Sequence, residues 1–251
     1  MIALPPPFRW ERDQIVADLS GGHVLFSTRR GGVSEGSFAS LNLGKLTDDP
    51  AAAVDENRLR VLARVGLTWD RSCYGRQVHG TEVRRATEPP GPERPYAEED
   101  GQATALEDAA AVVFVADCLP VVLVADGAVA ALHGGWRGLA GGIVGEGVRA
   151  LRDVGGSGPI RAALGPSARG CCYEVGEEVH AAFSGSPGSR VGERNLDLTV
   201  VATSQLREAG VEAADIHDIG LCTMCSDPAL FFSHRRDAGV TGRQAAVVVR
   251  R

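Results

Sequence analysis

The sequence lacks any long hydrophobic run. Its longest apolar stretches, 109–116 and 119–125, end at Asp117 and Asp126, well short of the roughly 20 residues that span a bilayer. The first ten residues hold three consecutive prolines but neither a basic segment nor an apolar core, so they do not resemble a signal peptide. We therefore expect a cytoplasmic protein without a membrane segment.

Positive charge and cysteine are also scarce. The 26 Lys and Arg residues against 32 Asp and Glu residues give a net charge of −6, so no overall basic field is available for a nucleic acid backbone. Six cysteines in 251 residues are too few for a disulfide scaffold, and a reducing compartment would keep them as thiols. Nucleic acid is thereby excluded as the main partner, and the thiols remain available for packing, metal binding or catalysis.

The rest of the composition is that of an ordinary globular protein, with 44% hydrophobic and 23% charged residues. Residues 50–65 are predicted to form a helix because Asp48 and Asp49 offer an N-cap, Pro50 suits the first turn, and apolar residues then recur at helical spacing. Four prolines and four acidic residues follow Glu88 in the stretch that ends at Asp100, and they predict a surface loop over 88–100.

Strands and helices follow one another in groups. Three β-branched runs from Ala111 to His133 predict a strand, a break, a second strand, a tight turn and a third strand. Further strands are predicted at 24–28, 160–164, 216–219 and 245–249, and further helices at 139–151, 176–183 and 198–209. This order favours an α+β fold, an α/β sandwich of mixed β-sheets with flanking helices, in one domain spanning 1–251.

Several common motifs are missing or misplaced. No phosphate-binding P-loop occurs. A Gly-x-Gly-x-x-Ala sequence at 145–150 falls inside a predicted helix, where close helix packing explains it better than dinucleotide binding. The Cys222-x-x-Cys225 pair has the spacing of half a structural zinc site, but the adjacent Cys171 and Cys172 lack that spacing, so buried thiols are the favoured interpretation.

Three residues at strand ends form the most informative set. His79, Cys118 and His133 each precede or follow a turn, where rigid elements present side chains to a cleft. One thiolate and two imidazoles could bind zinc and leave the fourth tetrahedral position open, as catalytic sites do. Two satisfied histidines and a core cysteine would explain the same residues equally well.

A series of motifs resembles the laccase-domain, or polyphenol oxidase-like, family. The resemblance runs from about residue 24 to 249 and rests on motifs around 28–34, 77–80, 100–104, 116–120, 133–138, 165–167, 173–176 and 233–243. It implies a zinc-dependent purine nucleoside phosphorylase that also deaminates adenosine and cleaves methylthioadenosine, with metal ligands at His79, Cys118 and His133. It also implies a mixed α/β sandwich similar to that of cytotoxic necrotizing factor-like cysteine enzymes.

The histidine inventory argues against the chemistry of a multicopper oxidase. Multicopper oxidases need paired His-x-His ligands, and none of the six histidines forms such a pair. One departure from the family pattern concerns the pocket, since His234 stands where a tyrosine is common.

The implied reaction needs purine nucleosides and phosphate as small-molecule partners. Guanidinium groups suit phosphate, and Arg29, Arg76, Arg137 and Arg243 lie in or beside the motifs; Arg137, four residues after His133, is the first choice. Asp117 and Glu174 are candidate acid, base or ligand-orienting groups, and Asp117 adjoins Cys118.

Two other function classes remain open. A metal-free cysteine hydrolase or amidase would use Cys118 as nucleophile with His79 or His133 as base. A non-catalytic binding protein has no positive support beyond the proline-rich start. The sequence leaves the oligomeric state open.

Overall fold

The computed structural model describes residues 2–88 and 97–251. In this part of the chain the strands are β1 (Arg9–Glu11), β2 (Gln14–Leu19), β3 (Gly22–Phe26), β4 (Ser72–Cys73), β5 (Val83–Ala86), β6 (Gly101–Thr104), β7 (Ala110–Val115), β8 (Leu119–Asp126), β9 (Ala128–Gly134), β10 (Ser157–Leu164), β11 (Arg190–Val191), β12 (Asn195–Leu196), β13 (Ile216–Asp218) and β14 (Gln244–Arg250). The helices are α1 (Ala51–Ala63), α2 (Trp136–Ala140), α3 (Ile143–Asp153), α4 (Glu177–Ala182) and α5 (Leu198–Glu208).

Two six-stranded sheets carry the fold. The first has the order β1-β2-β3-β14-β7-β4, with only β4 and β7 parallel. The second has the order β13-β10-β8-β9-β6-β5, where β10 and β13, and β5 and β6, run parallel. Both sheets are therefore mixed, as the sequence predicts.

Strand periodicity explains how the sheets stack. Along β8, Val122 and Val124 pack into the core between the two sheets, whereas Val121 and Leu123 face the core under α2, α3, α4 and α5. Side chains alternate between the two faces of a strand, and β8 is apolar on both. Val247 on β14 faces the α1 side in the same way. The result is four layers in the order helix, sheet, sheet, helices.

The predicted elements match the observed ones within a few residues. The predicted helix 50–65 is α1, and the three predicted strands after Ala111 are β7, β8 and β9. The predicted helix 139–151 is divided into α2 and α3 at Gly141 and Gly142. The Gly-x-Gly-x-x-Ala sequence lies inside α3, and a Cβ on Gly147 would meet Leu132 at 2.4 Å. Close packing is confirmed as the reason for that glycine.

Two local predictions are wrong. Asp49 does not cap α1, since Pro50 occupies the N-cap position and the Asp49 carboxylate accepts hydrogen bonds from Ser34 and Asn42 instead. The predicted loop ends at Asp100, just before β6, but this end does not lie on the surface. Residues 89–96 lie outside the described residues, whereas Asp100 is fully buried, and four hydrogen-bond donors satisfy its carboxylate.

Within the described ranges, no helix is long and apolar enough to cross a membrane.

Candidate active site

His79, Cys118 and His133 come together although two of them lie on separate connections and His133 lies near the end of β9. Antiparallel pairing places Pro120 of β8 opposite His133 of β9, so Cys118, just before β8, lies beside His133. His79 lies on the connection between β4 and β5. Its Nε2 is 3.8 Å from the Cys118 sulfur, and its ring meets the His133 ring edge to face at 4.8 Å between centroids.

A glycine makes this close approach possible. A Cβ on Gly135 would lie 2.7 Å from Cδ2 of His79 and 3.4 Å from the Cys118 sulfur. His79 and Asp117 also have positive φ angles, 63° and 91°, a region that non-glycine residues rarely adopt. Such backbone conformations are common where a site imposes its geometry.

The Asp100 carboxylate joins the segments that carry His79 and His133, although it was not among the site residues predicted from the sequence. Its carboxylate accepts hydrogen bonds from the backbone N–H groups of Val78, His79 and Gly80 at 2.7 to 3.0 Å, and from Nδ1 of His133 at 2.7 Å. Burial disfavours its charged form, but the hydrogen bonds from His133 and the backbone N–H groups outweigh burial and lower the pKa of Asp100. The only signal in the sequence was its place in the family motif at 100–104.

The three residues perturb one another electrostatically. Burial opposes the Cys118 thiolate, but the charges and hydrogen bonds of His133 and His79 lower the pKa of Cys118 to about 6. Burial likewise opposes a charged His133, yet Cys118 and Asp100 raise the pKa of His133 to about 9. The site therefore favours a thiolate.

This donor set fits a metal ion. One ligand atom from each of His79, Cys118 and His133 lies within 4.8 Å of the others. Tetrahedral zinc with ordinary bond lengths separates nitrogen and sulfur ligands by about 3.5 Å, close to the observed 3.8 Å between His79 and Cys118. Nδ1 of His133 donates a hydrogen bond to Asp100, so Nε2 is the ring nitrogen that can bind a metal. This arrangement is common around metal-bound histidines.

A cleft of about 740 Å³ opens over the three residues. Its polar and charged lining includes Lys45, Arg58, Arg76, Gln77, Asp117, His234, Arg235 and Arg243, and its aromatic lining is Tyr74, Phe114 and Tyr173. A neighbouring cavity of about 420 Å³ shares Tyr173 and Arg235 with the cleft. Both are of a size that suits a small molecule.

The predicted arginines separate into three groups. Arg76 and Arg243 line the cleft, and Arg137 lines the neighbouring cavity, where its guanidinium stacks on Trp136 at 4.2 Å. Arg29 lines neither, because its guanidinium bonds the carbonyl groups of Ala39 and Pro228. Its expected part in phosphate binding has no support in these contacts.

The two predicted carboxylates have different surroundings. Asp117 is buried, and its oxygens accept hydrogen bonds from the Thr223 hydroxyl at 2.6 Å and the Arg235 backbone N–H at 2.7 Å. The contact that orients a histidine belongs to Asp100 instead. Glu174 lines the neighbouring cavity and pairs with Arg194 at 3.4 Å.

The buried-thiol interpretation of Cys222 and Cys225 is wrong for Cys225, which is exposed. Both lie in a cluster with Cys171 and Cys172. Spacing along the chain could not reveal the cluster, because one of its pairs is adjacent in sequence and the two pairs are brought together by the fold.

Comparison with known proteins places this chain in a family. Residues 23–251 match the family described as multi-copper polyphenol oxidoreductase laccase, and the chain belongs to this laccase-domain family.

Curated relatives and a solved structure share most of this length. A purine nucleoside phosphorylase of Deinococcus radiodurans is 39% identical over 89% of this chain and 87% of its own. One of Xylella fastidiosa is 40% identical over 86% of this chain and 88% of its own. The crystal structure of YlmD from Geobacillus stearothermophilus has a TM-score of 0.88 and 33% identity, covering 98% of this chain and all of its own.

Proposed function

We propose that the protein is a zinc-dependent purine nucleoside phosphorylase for adenosine, inosine and methylthioadenosine, with adenosine deaminase activity. The observation that carries the proposal is the convergence of His79, Cys118 and His133 at one cleft. The names of the relatives from Deinococcus and Xylella support the reaction class. The missing His-x-His pairs argue against the copper chemistry in the family description.

His79, Cys118 and His133 would hold the zinc ion. Zinc sites that keep an open position often have three protein ligands of this kind, here two imidazoles and one thiolate. In such sites the second ring nitrogen of a histidine ligand is typically held by a hydrogen bond, as Nδ1 of His133 is. Such an ion supplies Lewis acidity at the bound substrate. The Asp100 carboxylate would hold His133 in one tautomer by accepting a hydrogen bond from its Nδ1. The same carboxylate would fix the backbone at His79, whose N–H group also donates to it.

Phosphate would bind to the cationic groups around the cleft. In phosphorolysis a phosphate oxygen forms a bond to the anomeric carbon while the bond to the purine nitrogen breaks, and the purine leaves with the electron pair. Arg76 and Arg243 from the cleft, and Arg137 from the neighbouring cavity, can orient phosphate and offset its charge. Phe114 and Tyr173 offer aromatic surfaces to a purine ring.

Acid and base groups are needed for both reactions. Asp117 would position the Cys118 connection, since both its oxygens are engaged in hydrogen bonds. His234 lines the cleft and is the residue we propose as proton donor to the leaving purine. Glu174 lines the neighbouring cavity, from which its carboxylate would act as an acid or base group.

The decisive experiment is product analysis. Zinc-loaded protein is incubated with adenosine, inosine and methylthioadenosine, with and without phosphate, and products are identified by mass. We expect ribose 1-phosphate or its methylthio analogue only with phosphate, and inosine from adenosine without it. A folded, metal-loaded sample that turns over none of these would reject the proposal and favour a binding protein.

A second candidate is a metal-free cysteine hydrolase. It is favoured by the lowered pKa of Cys118 beside a His133 that Asp100 orients, which resembles the arrangement of cysteine nucleophiles. The implied likeness to cytotoxic necrotizing factor-like cysteine enzymes belongs with this candidate. The Cys118→Ser variant separates the two: lost zinc and lost activity, partly restored by excess zinc, support the metal enzyme. A covalent adduct on Cys118 in fully active, metal-stripped protein would support the hydrolase.

A further inference from the structure

A second group of thiols lies outside the site described above. Cys171, Cys172, Cys222 and Cys225 each offer a sulfur, and these four atoms lie within 4.8 Å of one another. All four are free cysteines. Cys222 is buried, Cys172 is half-buried, and Cys171 and Cys225 are exposed, so the cluster lies at the protein surface.

The sheet brings the two pairs together. Strands β10 and β13 run parallel, with Leu164 opposite Asp218, and the chain beyond them continues the pairing through a bridge between Ser167 and Cys222. A turn closed by the hydrogen bond from the Cys172 N–H to the Arg169 carbonyl directs the first pair towards the second. The approach is thus set by backbone pairing.

The separation of the sulfurs indicates which chemistry the cluster suits. Cys171 and Cys225 have their sulfurs 3.6 Å apart, far beyond the roughly 2.0 Å of a disulfide. A tetrahedral ion with Zn–S bonds of about 2.3 Å places its sulfur ligands about 3.8 Å apart. The cluster has the dimensions of a single-ion tetrathiolate site.

We propose that Cys171, Cys172, Cys222 and Cys225 bind a second zinc ion, as a structural site separate from the cleft. Four thiolates fill the tetrahedral coordination of zinc and leave no position for a substrate. The Cys-x-x-Cys spacing of Cys222 and Cys225 is that of one half of known structural zinc sites. The adjacent pair supplies the other half.

Hydrogen-bond donors and a cation lie beside two of the four sulfurs. The backbone N–H groups of Cys225, Arg169 and Met224 are directed at the Cys222 sulfur, and hydrogen bonds to sulfur favour a thiolate ligand. The Arg169 guanidinium is close enough to interact with Cys171, while it is held by two hydrogen bonds to Asp218 at 2.7 and 2.8 Å. A tetrathiolate zinc site carries net negative charge, which this cation offsets.

The segment after β13 links this cluster to the cleft. Thr223 lies between two of the thiols, and its hydroxyl donates to Asp117, the neighbour of Cys118. Its carbonyl accepts a hydrogen bond from Arg236 at 2.9 Å. A zinc ion in the cluster would therefore fix the segment that holds the Cys118 connection, without contacting substrate.

The test is metal content of the purified full chain, measured per chain by mass spectrometry. We expect about two zinc ions in the wild type and about one in Cys225→Ser, whose serine replaces an exposed thiol. His79→Ala is expected to lose the zinc ion of the cleft and keep the zinc ion of the four-cysteine cluster. Cys73→Ser, a buried thiol outside both groups, serves as the matched control and is expected to keep both.

Two further measurements make the test independent of activity. Cobalt(II) bound by the wild type should give the intense sulfur-to-metal absorption of a tetrathiolate, which Cys118→Ser should keep and Cys171→Ser with Cys225→Ser should lose. The melting temperature of the double variant should fall by roughly 5 to 10 °C and respond to added zinc less than that of the wild type, since only the cleft site remains.

Three results would overturn the proposal. These are one zinc ion in the wild type that Cys225→Ser retains, iron in place of zinc in the cluster, or a disulfide among the four thiols in protein prepared under reducing conditions. Absence of nucleoside turnover would reject the proposed function and leave this site unaffected.

Discussion

Nδ1 of His133 donates a hydrogen bond of 2.7 Å to Oδ1 of Asp100, and the same carboxylate accepts three backbone N–H groups from the segment that carries His79. One buried carboxylate thus positions two of the three candidate metal ligands. Asp100→Asn offers an amide where the site needs an acceptor, so we expect metal affinity to fall about 10- to 100-fold. Zinc competition with a chelator measures this. Asp153→Asn, at an exposed ion pair with Arg85, should leave affinity unchanged, and equal losses in both variants would contradict the role of Asp100.

Gly135 is expected to be irreplaceable even by alanine. The added methyl group would meet His79 at 2.7 Å, so Gly135→Ala should displace the imidazole and weaken metal binding while the fold persists. Gly145→Ala is the matched control, because a Cβ there meets only the end of Arg149 at 3.7 Å and should stabilise α3 by up to about 1 kcal/mol. Circular dichroism and zinc titration distinguish the two. Unchanged zinc affinity in Gly135→Ala would show that the contact is relieved by movement elsewhere.

The hydrogen bond from Thr223 to Asp117 is expected to support both stability and activity. Thr223→Val keeps the shape but removes the donor to a buried carboxylate, which should lower the free energy of unfolding by about 1 to 3 kcal/mol and reduce activity. Thr223→Ser retains the hydroxyl and should restore much of both. Urea denaturation and steady-state kinetics test this, and a serine variant as impaired as the valine variant would assign the effect to packing.

Arg137 is expected to contribute to phosphate binding. Arg137→Ala removes a guanidinium from the cavity that shares Tyr173 and Arg235 with the cleft, so the KM for phosphate should rise about 10-fold, as for one lost hydrogen bond to a charged group. The exposed Arg207 on α5 provides a control in Arg207→Ala. An unchanged phosphate dependence in Arg137→Ala would remove this assignment.

Asp237 should make a pH-dependent contribution to stability. Burial opposes its charge, but hydrogen bonds from Arg236 and Thr241 lower the pKa of Asp237 below its ordinary 3.8. Because the folded pKa is the lower one, the contribution is complete above about pH 4 and is lost as the pH falls through the folded pKa. Asp237→Asn should therefore lower the free energy of unfolding by about 1 kcal/mol at pH 7, with the difference constant to pH 5 and shrinking below pH 4. Urea denaturation across this range measures it, and a difference that shrinks already between pH 7 and 5 would contradict it.

Local patterns along the chain are enough to predict several helices and strands. The helical spacing after Pro50 predicts α1, and the apolar runs around Cys118 predict β7, β8 and β9, because a buried helix face or strand must carry its apolar residues at its own period. The order of motifs also indicated His79, Cys118 and His133 as a set. Each of these inferences depends on residues within one short segment or on a family resemblance.

Which distant residues share a site depends on the fold. Asp100 appeared as the end of a loop in the sequence, and it is buried because β6 pairs with β9 and places it beside His133. Arg29 and Arg243 looked equivalent, and both guanidinium groups donate to backbone carbonyl groups, but only Arg243 lines the cleft. The four clustered cysteines meet because β10 pairs with β13. Pairing between strands far apart in sequence places Asp100 and the four cysteines, and no local spacing along the chain records it.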